Sequence, residues 1–108
     1  MAQPLPAPLA DYFAAANRHD IAGMLAPFAS DASVRDEGQT HVGTEAIRAW
    51  LNHTTTKYRV TVDVLDITGA AEALAVIGRV SGNFPGSPAN LTYRFTLADD
   101  TITSLAIG

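Results

Sequence analysis

The sequence predicts an α+β fold, with helices in the first half of the chain and mostly antiparallel strands in the second. Apolar residues recur at helical spacing as far as Thr54, and after Lys57 they alternate as in a β-strand. Helices followed by a run of strands are typical of this class. With 108 residues, 47% of them hydrophobic, the chain can close one core, and we expect a single domain over residues 1–108.

Three helices are predicted, each from a capping signal or an apolar face. The first follows a proline-rich opening (Pro4, Pro6 and Pro8), and its apolar face is Leu9, Tyr12, Phe13 and Ala16. The second is capped by Asp20 and stopped near Pro27, with the apolar face Ile21, Met24, Leu25 and Phe28. The third is capped by Thr44 and favoured by Glu45 in its first turn, with the buried face Ile47, Trp50, Leu51 and Thr54.

The strands are predicted from period-two alternation and from turn residues. Residues 33–36 form a short strand, and Glu37-Gly38 is the turn of a hairpin. A second strand starts with apolar residues that alternate with polar ones, namely Tyr58, Val60, Val62 and Val64. Thr68-Gly69 is read as a turn before a long strand that runs from Ala71 to about Asn83. A loop over residues 82–88 then precedes strands that contain residues 91–97 and 101–107.

Composition excludes several classes of function. The chain has no cysteine, so disulfides, thiolate nucleophiles and zinc–thiolate sites are impossible. Its net charge is −4 and its seven Lys and Arg residues are scattered, so we expect no nucleic-acid partner. No segment reaches the ~18 apolar residues of a membrane span, and no secretory signal is evident, so we expect no membrane partner and a cytoplasmic location. Three dispersed histidines predict no metal site, and no motif predicts a cofactor.

Three short motifs, in this order, carry a resemblance to a known superfamily. They are Asp20-Ile21 at the start of the second helix, SDASVRD over residues 30–36, and VGTEAI over residues 42–47. The chain resembles the nuclear transport factor 2-like superfamily, which includes the ketosteroid isomerases and the SnoaL-like polyketide cyclases. The resemblance runs from Leu9 to Ile107. It implies a cone in which a curved antiparallel or mixed sheet wraps on three N-terminal helices and encloses an interior pocket.

The resemblance also implies catalytic roles for three residues. Residues 12–36 align with the ketosteroid isomerases without a gap, so that Asp36 matches their proton-shuttling aspartate and Tyr12 their oxyanion-donor tyrosine. The third element of that site, a protonated aspartate, falls at or near Tyr93, which can also donate a hydrogen bond. Alternative interpretations are an exposed turn aspartate at Asp36 and ordinary core packing for both tyrosines.

Five further residues are predicted ligand contacts: Trp50, Phe95, His41, Phe13 and Tyr58. Trp50 lies on the apolar face of the third helix, and Phe95 alternates in phase with Tyr93. With a two-residue turn, His41 lies diagonally across the hairpin from Asp36, about 7–8 Å away between backbone positions. A one-residue register shift would remove that juxtaposition. Burial of Asp36 in an apolar pocket predicts a pKa above its usual ~3.9.

These observations leave three hypotheses of function. The first is proton-transfer chemistry of the isomerase, cyclase or dehydratase type on a small hydrophobic carbonyl compound, with Asp36 as general base and Tyr12 and Tyr93 as oxyanion donors. The second is a binding module that holds a small molecule without turning it over, and the third is a structural dimer. We expect a homodimer formed by the open face of the sheet, which we predict to carry Thr92, Thr96 and Leu74. Arg79 is read as a surface or dimer-face residue, or as an anion anchor in the pocket.

Overall fold

The computed structural model describes residues 5–70 and 72–108, in which helices pack on one face of a curved sheet. The helices are α1 Ala7–Asn17, α2 Ile21–Leu25 and α3 Thr44–Tyr58. The strands are β1 Phe28–Asp36, β2 Gln39–Val42, β3 Thr61–Ala70, β4 Ala73–Ser81, β5 Ala89–Ala98 and β6 Thr101–Ile107. They form a sheet of order β2-β1-β6-β5-β4-β3, in which only the β1–β6 pair is parallel. The predicted α+β class with a mixed curved sheet is confirmed.

The end of α2 differs from the prediction. Asp20 caps α2 as predicted, since its side chain accepts a hydrogen bond of 3.0 Å from the backbone N–H of Gly23. Phe28, however, is the first residue of β1 and does not extend the face of α2. Proline has no N–H for the next helical hydrogen bond, so Pro27 turns the chain into the sheet. This makes β1 longer than the predicted strand over residues 33–36.

The hairpin turn that carries the candidate base has the predicted register. Asp36 pairs with Gln39, which leaves Glu37 and Gly38 as a two-residue turn with φ angles of 53° and 76°. Positive φ at both positions is the requirement of a type I′ hairpin. The cap predicted at Thr44 is wrong, because Gly43 occupies the N-cap and Thr44 is the first residue of α3. Because β2 and α3 follow directly, the turn places Asp36 beside α3.

The start of β3 is later than predicted. Tyr58 is the last residue of α3, and the helix ends at Arg59, which adopts the left-handed conformation with φ 47°. Tyr58 therefore belongs to a helix and not to the apolar set of a strand. Pairing of β3 with β4 shifts register between Val64 and Asp66, so the next inward residue after Val64 is Ile67, and Val64 itself is left 36% exposed opposite Gly78.

The predicted turn at Thr68-Gly69 is also wrong, because both residues lie within β3. The predicted start of the next strand, Ala71, lies outside the described residues, as does Pro4 of the opening, and β4 begins at Ala73. The α1, α3, β5 and β6 predictions hold to within a few residues at each end. No helix among residues 5–70 and 72–108 is both long and apolar enough to cross a bilayer.

The core lies between the helices and the concave face of the sheet. Its largest fully buried side chains come from every layer: Leu9, Val34, Ile47, Leu51, Val76, Phe95, Ile102 and Leu105. Leu74 faces this core with 5% exposure, so the prediction that placed it on the open face is wrong. The register shift in β3 does not affect β4, whose even-numbered residues remain inward. The opposite face presents Ile77, Arg79, Arg94 and Thr96 to solvent.

Candidate functional site

A cavity of about 420 Å³ lies between α1, α3 and the concave face of the sheet. Tyr12, Asp36, Trp50, Tyr58 and Tyr93, all predicted site residues, line it. The rest of the lining is largely apolar. This is the size and character of a pocket for a small organic molecule.

Asp36 is the last residue of β1 and projects from the hairpin toward α3. Its Oδ2 accepts a hydrogen bond of 3.1 Å from the indole Nε1 of Trp50. Loss of hydration raises the pKa of Asp36, and the charge of Glu37 adds to this. The Trp50 hydrogen bond, the backbone N–H of Glu37 and the charge of His41 oppose the rise without cancelling it. The carboxylate is thus held in place and holds its proton more tightly than a solvated one.

Tyr12 and Tyr93 contribute phenol groups to the same cavity. Both are buried, with 5% and 4% exposure. Neither hydroxyl has a hydrogen-bond partner among the described residues, and no fully buried polar side-chain atom there is unpaired, which places both hydroxyls at the cavity surface. Burial and the neighbouring negative charge of Asp36 raise the pKa of both phenols. Both therefore stay protonated and can donate hydrogen bonds at neutral pH.

Gly78 is the residue of β4 that makes room for Val62, which lines the cavity. A Cβ at this position would lie 2.7 Å from Cγ1 of Val62, whereas it would meet Cε1 of Tyr93 at 3.4 Å, an ordinary contact distance. The absence of a side chain therefore lets Val62 pack closely over β4. The sequence pattern alone did not single out this glycine.

Glu37, Tyr58 and Phe84 line the cavity and are at least partly exposed, and we call them the rim. The hydroxyl of Tyr58 donates a 2.9 Å hydrogen bond to Oε1 of Glu37, and so joins the end of α3 to the hairpin turn. The Tyr58 and Phe84 rings meet edge to face with their centroids 6.2 Å apart. Phe84 and Pro85 belong to the loop between β4 and β5. The rim thus combines a carboxylate with two aromatic rings.

Three predicted ligand contacts do not line this cavity. Phe95 and Phe13 pack against each other with ring centroids 5.8 Å apart, behind Tyr12 and Tyr93. Alternation assigns Phe95 correctly to the inner face but does not say which end of the sheet it occupies. His41 stacks on the indole of Trp50 at 6.1 Å and reaches Asp36 only through its charge.

Sequence reasoning missed several lining residues. His19 lines the cavity, and its Nε2 lies 2.9 Å from the carbonyl oxygen of Val60. Glu37 was predicted only as a turn residue and Phe84 was not singled out, but both line the cavity. An aromatic residue within a Gly- and Pro-rich loop is a signal that could have pointed to Phe84. Arg79 is exposed on the opposite face, which removes the anion-anchor interpretation.

The arrangement is suited to moving a proton next to a carbonyl group. A half-buried carboxylate of raised pKa can accept and return a proton, and un-ionised phenols can donate hydrogen bonds to the enolate oxygen that forms. Within the described part of the chain, no three His, Asp or Glu side chains are grouped to hold a metal ion. Any proton transfer at this cavity can therefore draw on one carboxylate and two phenols of the protein itself.

Comparisons with known proteins give the same fold. A SnoaL-like domain model matches residues 9–105. A candidate polyketide cyclase from Sinorhizobium meliloti is 38% identical, superposes with a TM-score of 0.92, and covers 96% of this chain and 95% of that one. No curated protein matches the chain.

Two more distant structures establish the fold alone. One is a protein with a ketosteroid isomerase-like fold from Catenulispora acidiphila, in complex with trimethylamine. It is 20% identical, with a TM-score of 0.84, and covers 97% of this chain and 86% of that one. The other is the epoxide hydrolase/cyclase-like enzyme SalBIII, which has a role in pyran ring formation in the polyether salinomycin. It is 22% identical, with a TM-score of 0.81, and covers 93% of this chain and 85% of that one. The chain belongs to the SnoaL-like family, with the ketosteroid isomerase-like cone fold.

Proposed function

We propose that the cavity binds a small hydrophobic carbonyl compound and that Asp36 transfers a proton within it. The observation that carries the proposal is the meeting, at one apolar cavity, of one half-buried carboxylate and two phenol hydroxyls that have no partner among the described residues. The Asp36 carboxylate would remove a proton from the carbon next to the carbonyl, which gives an enolate and a protonated Asp36. Tyr12 and Tyr93 would donate hydrogen bonds to the enolate oxygen.

Three overall reactions share this first step. In an isomerase, protonated Asp36 returns the proton to a different carbon. In a cyclase, the enolate carbon forms a bond to a second carbonyl carbon of the same molecule, whose oxygen takes up a proton. In a dehydratase, the electron pair expels a neighbouring hydroxyl group as water once that group is protonated. The likeness to the candidate polyketide cyclase at 38% identity favours the cyclase among these.

The alternatives differ in what they require of the cavity. A structural dimer needs no interior space, so a cavity of about 420 Å³ argues against that hypothesis. A binding module needs the cavity but no base, and the raised pKa of Asp36 supports the enzyme over it.

The test is exchange of the α-protons of cyclohexanone in D₂O, followed by NMR. We expect the wild-type protein to catalyse deuterium incorporation, and Asp36→Asn to lower the rate by about 10²–10⁴-fold. Asp31→Asn is the matched control, because Asp31 is an exposed aspartate on the same strand that does not line the cavity. If cyclohexanone changes the fluorescence of Trp50 but Asp36→Asn exchanges as fast as wild type, the chain is a binding module.

We further propose that the chain is a homodimer, assembled through the outer face of the sheet. That face carries Ile77, which is 38% exposed, beside Thr92 on the paired strand. Arg79 and Arg94 lie on it too, so it is more charged than the sequence predicted. Light scattering at micromolar concentration should give the mass of two chains, and the mass of one chain would contradict this. We also propose that the protein is located in the cytoplasm.

A further inference from the structure

The charged groups that line the cavity are of one sign apart from a single histidine. Two carboxylates, Asp36 and Glu37, line it, while none of the lining residues is Lys or Arg. The salt bridges within the described residues, Arg18–Asp20 and Arg48–Glu45, involve other acids. Asp36 and Glu37 are instead hydrogen-bonded by the neutral donors of Trp50 and Tyr58. The charged side chains of the lining would repel a negatively charged ligand, which could bind only through neutral donors, whereas a positively charged ligand would find carboxylates without a cationic side chain bound to them.

Two aromatic rings belong to the rim together with the carboxylate. Tyr58 holds Glu37 through its hydroxyl, and the Phe84 ring stands perpendicular to that of Tyr58. The exposed Lys57 places its Nζ 5.1 Å from the centroid of the Tyr58 ring, so a ligand ammonium group at this ring would compete with a lysine of the chain itself. Ring faces together with a carboxylate are the chemistry that recognises alkylammonium groups.

We propose that the ligand carries a protonated amine, which binds at the rim between Glu37 and the rings of Tyr58 and Phe84. The hydrophobic part of the ligand fills the cavity, and its carbonyl group lies near Asp36, Tyr12 and Tyr93. The proposal that the ligand has a carbonyl group depends on the function proposed above, whereas the proposal that it has an amine depends only on the rim residues. The substrate class is therefore a hydrophobic amino-carbonyl compound, and carboxylate-bearing compounds are disfavoured.

The test uses three probes of matched shape: cyclohexylmethylamine, cyclohexylmethanol and cyclohexanecarboxylate. Trp50 is the only tryptophan of the chain and lines the cavity, so its fluorescence reports binding of each probe to the intact protein. At pH 7 we expect the amine to bind about tenfold more tightly than the alcohol, from one ion pair and one or two cation–π contacts. The carboxylate should bind weakest. A carboxylate that binds as tightly as the amine would overturn the proposal.

Variants of the rim residues show which side chain causes the preference for the amine over the alcohol. Glu37→Gln removes the charge and keeps the shape, so the ratio of amine to alcohol affinity should fall to near unity. Glu72→Gln makes the same change of net charge at an exposed position that does not line the cavity, and should leave the ratio as in wild type. Tyr58→Phe keeps the ring but frees Glu37, and should lower the ratio partway. A ratio unchanged in both Glu37→Gln and Tyr58→Phe would overturn the proposal.

Failure of this proposal is distinguishable from failure of the proton-transfer proposal. Asp36→Asn should abolish proton exchange but keep most of the preference for the amine, because Glu37 remains. Loss of the preference in Asp36→Asn with its retention in Glu37→Gln would assign the ammonium to Asp36, and would overturn the rim as its binding site.

Discussion

The two ends of the interior are built in opposite ways. At the closed end, Tyr12, Phe13, Phe28 and Phe95 pack edge to face, with ring centroids 5.2–5.9 Å apart. At the open end, a cavity of about 420 Å³ remains. Strand β5 passes through both, since Phe95 fills the closed end and Tyr93, two residues earlier, lines the cavity.

The contrast shows where the chain places its polar groups. The closed end is filled by rings and leaves no room for a ligand. The open end gathers the Asp36 carboxylate, the Trp50 indole N–H and the two phenol hydroxyls around the unfilled space. A cavity that arose from poor packing would have an apolar lining like that of the closed end. Space and polarity coincide, which is the composition of a ligand site.

Truncation should therefore affect the two ends unequally. Phe95→Ala should lower the free energy of unfolding by about 3–5 kcal/mol, because it opens a void in a packed cluster. Leu91→Ala only widens an existing space beside a partly buried residue, and should cost about 1 kcal/mol. Urea denaturation of both variants measures this difference. Equal costs would mean that the two ends are equally packed.

The hydroxyl of Tyr93 distinguishes the open end from the closed end by its effect on the rate of proton exchange. Tyr93→Phe should slow proton exchange by about 10²–10³-fold, because one oxyanion donor is lost. Its stability should change little, since the hydroxyl has no partner among the described residues. Exchange in D₂O and urea denaturation are measured on the same sample. A variant that unfolds more easily without losing exchange would make Tyr93 a core residue of the ordinary kind.

The Trp50 hydrogen bond should set the pH at which Asp36 works. This bond lowers the pKa of Asp36 against the effect of burial. Trp50→Phe removes it, at a cost in carboxylate stabilisation of about 1.5–3 kcal/mol. The pKa of Asp36 should rise further, and the acid limb of the exchange profile should move to higher pH. A profile that stays in place would show that the bond does not stabilise the ionised form.

The smallest expected effect is on thermal stability. The folded-state pKa of Asp36 is raised above its ordinary value of 3.8, so the folded protein holds the proton more tightly than the unfolded chain. Ionisation therefore destabilises the fold once the pH exceeds the raised value, and has no effect below 3.8. Asp36→Asn should melt at a slightly higher temperature than wild type at pH 7, and the difference should disappear at pH 3. An Asn variant that melts lower at pH 7 would identify Asp36 as a structural partner.

Features that depend on neighbouring residues could be predicted from the sequence. The order of elements, the helix faces and the hairpin register follow from local periodicity and from the Glu37-Gly38 turn. The same register fixes Asp36 at the end of β1. Two of the three proposed catalytic residues, Tyr12 and Tyr93, lie on faces whose burial the spacing indicates.

Features that depend on packing between distant residues could not be predicted from the sequence. The bond between Trp50 and Asp36 joins residues 14 apart, and depends on the angle at which α3 lies on the hairpin. Phe84 reaches the rim only because its loop folds back over the end of α3. Tyr58 was assigned to a strand because its alternation with Val60 continues across the helix end at Arg59. Periodicity predicts which face of a strand a residue occupies, but not which end of the interior that residue reaches. Phe95 was therefore predicted to contact a ligand, although it lies at the closed end.

The most direct test of the central claim, a base inside a ligand cavity, is the NMR titration of the Trp50 indole N–H. The chain has one tryptophan, so a single indole resonance reports the carboxylate that accepts its hydrogen bond. We predict that this resonance titrates with a midpoint above 3.8, that the titration disappears in Asp36→Asn, and that cyclohexanone shifts it. A midpoint at or below 3.8, or a resonance indifferent to both pH and cyclohexanone, would contradict the account.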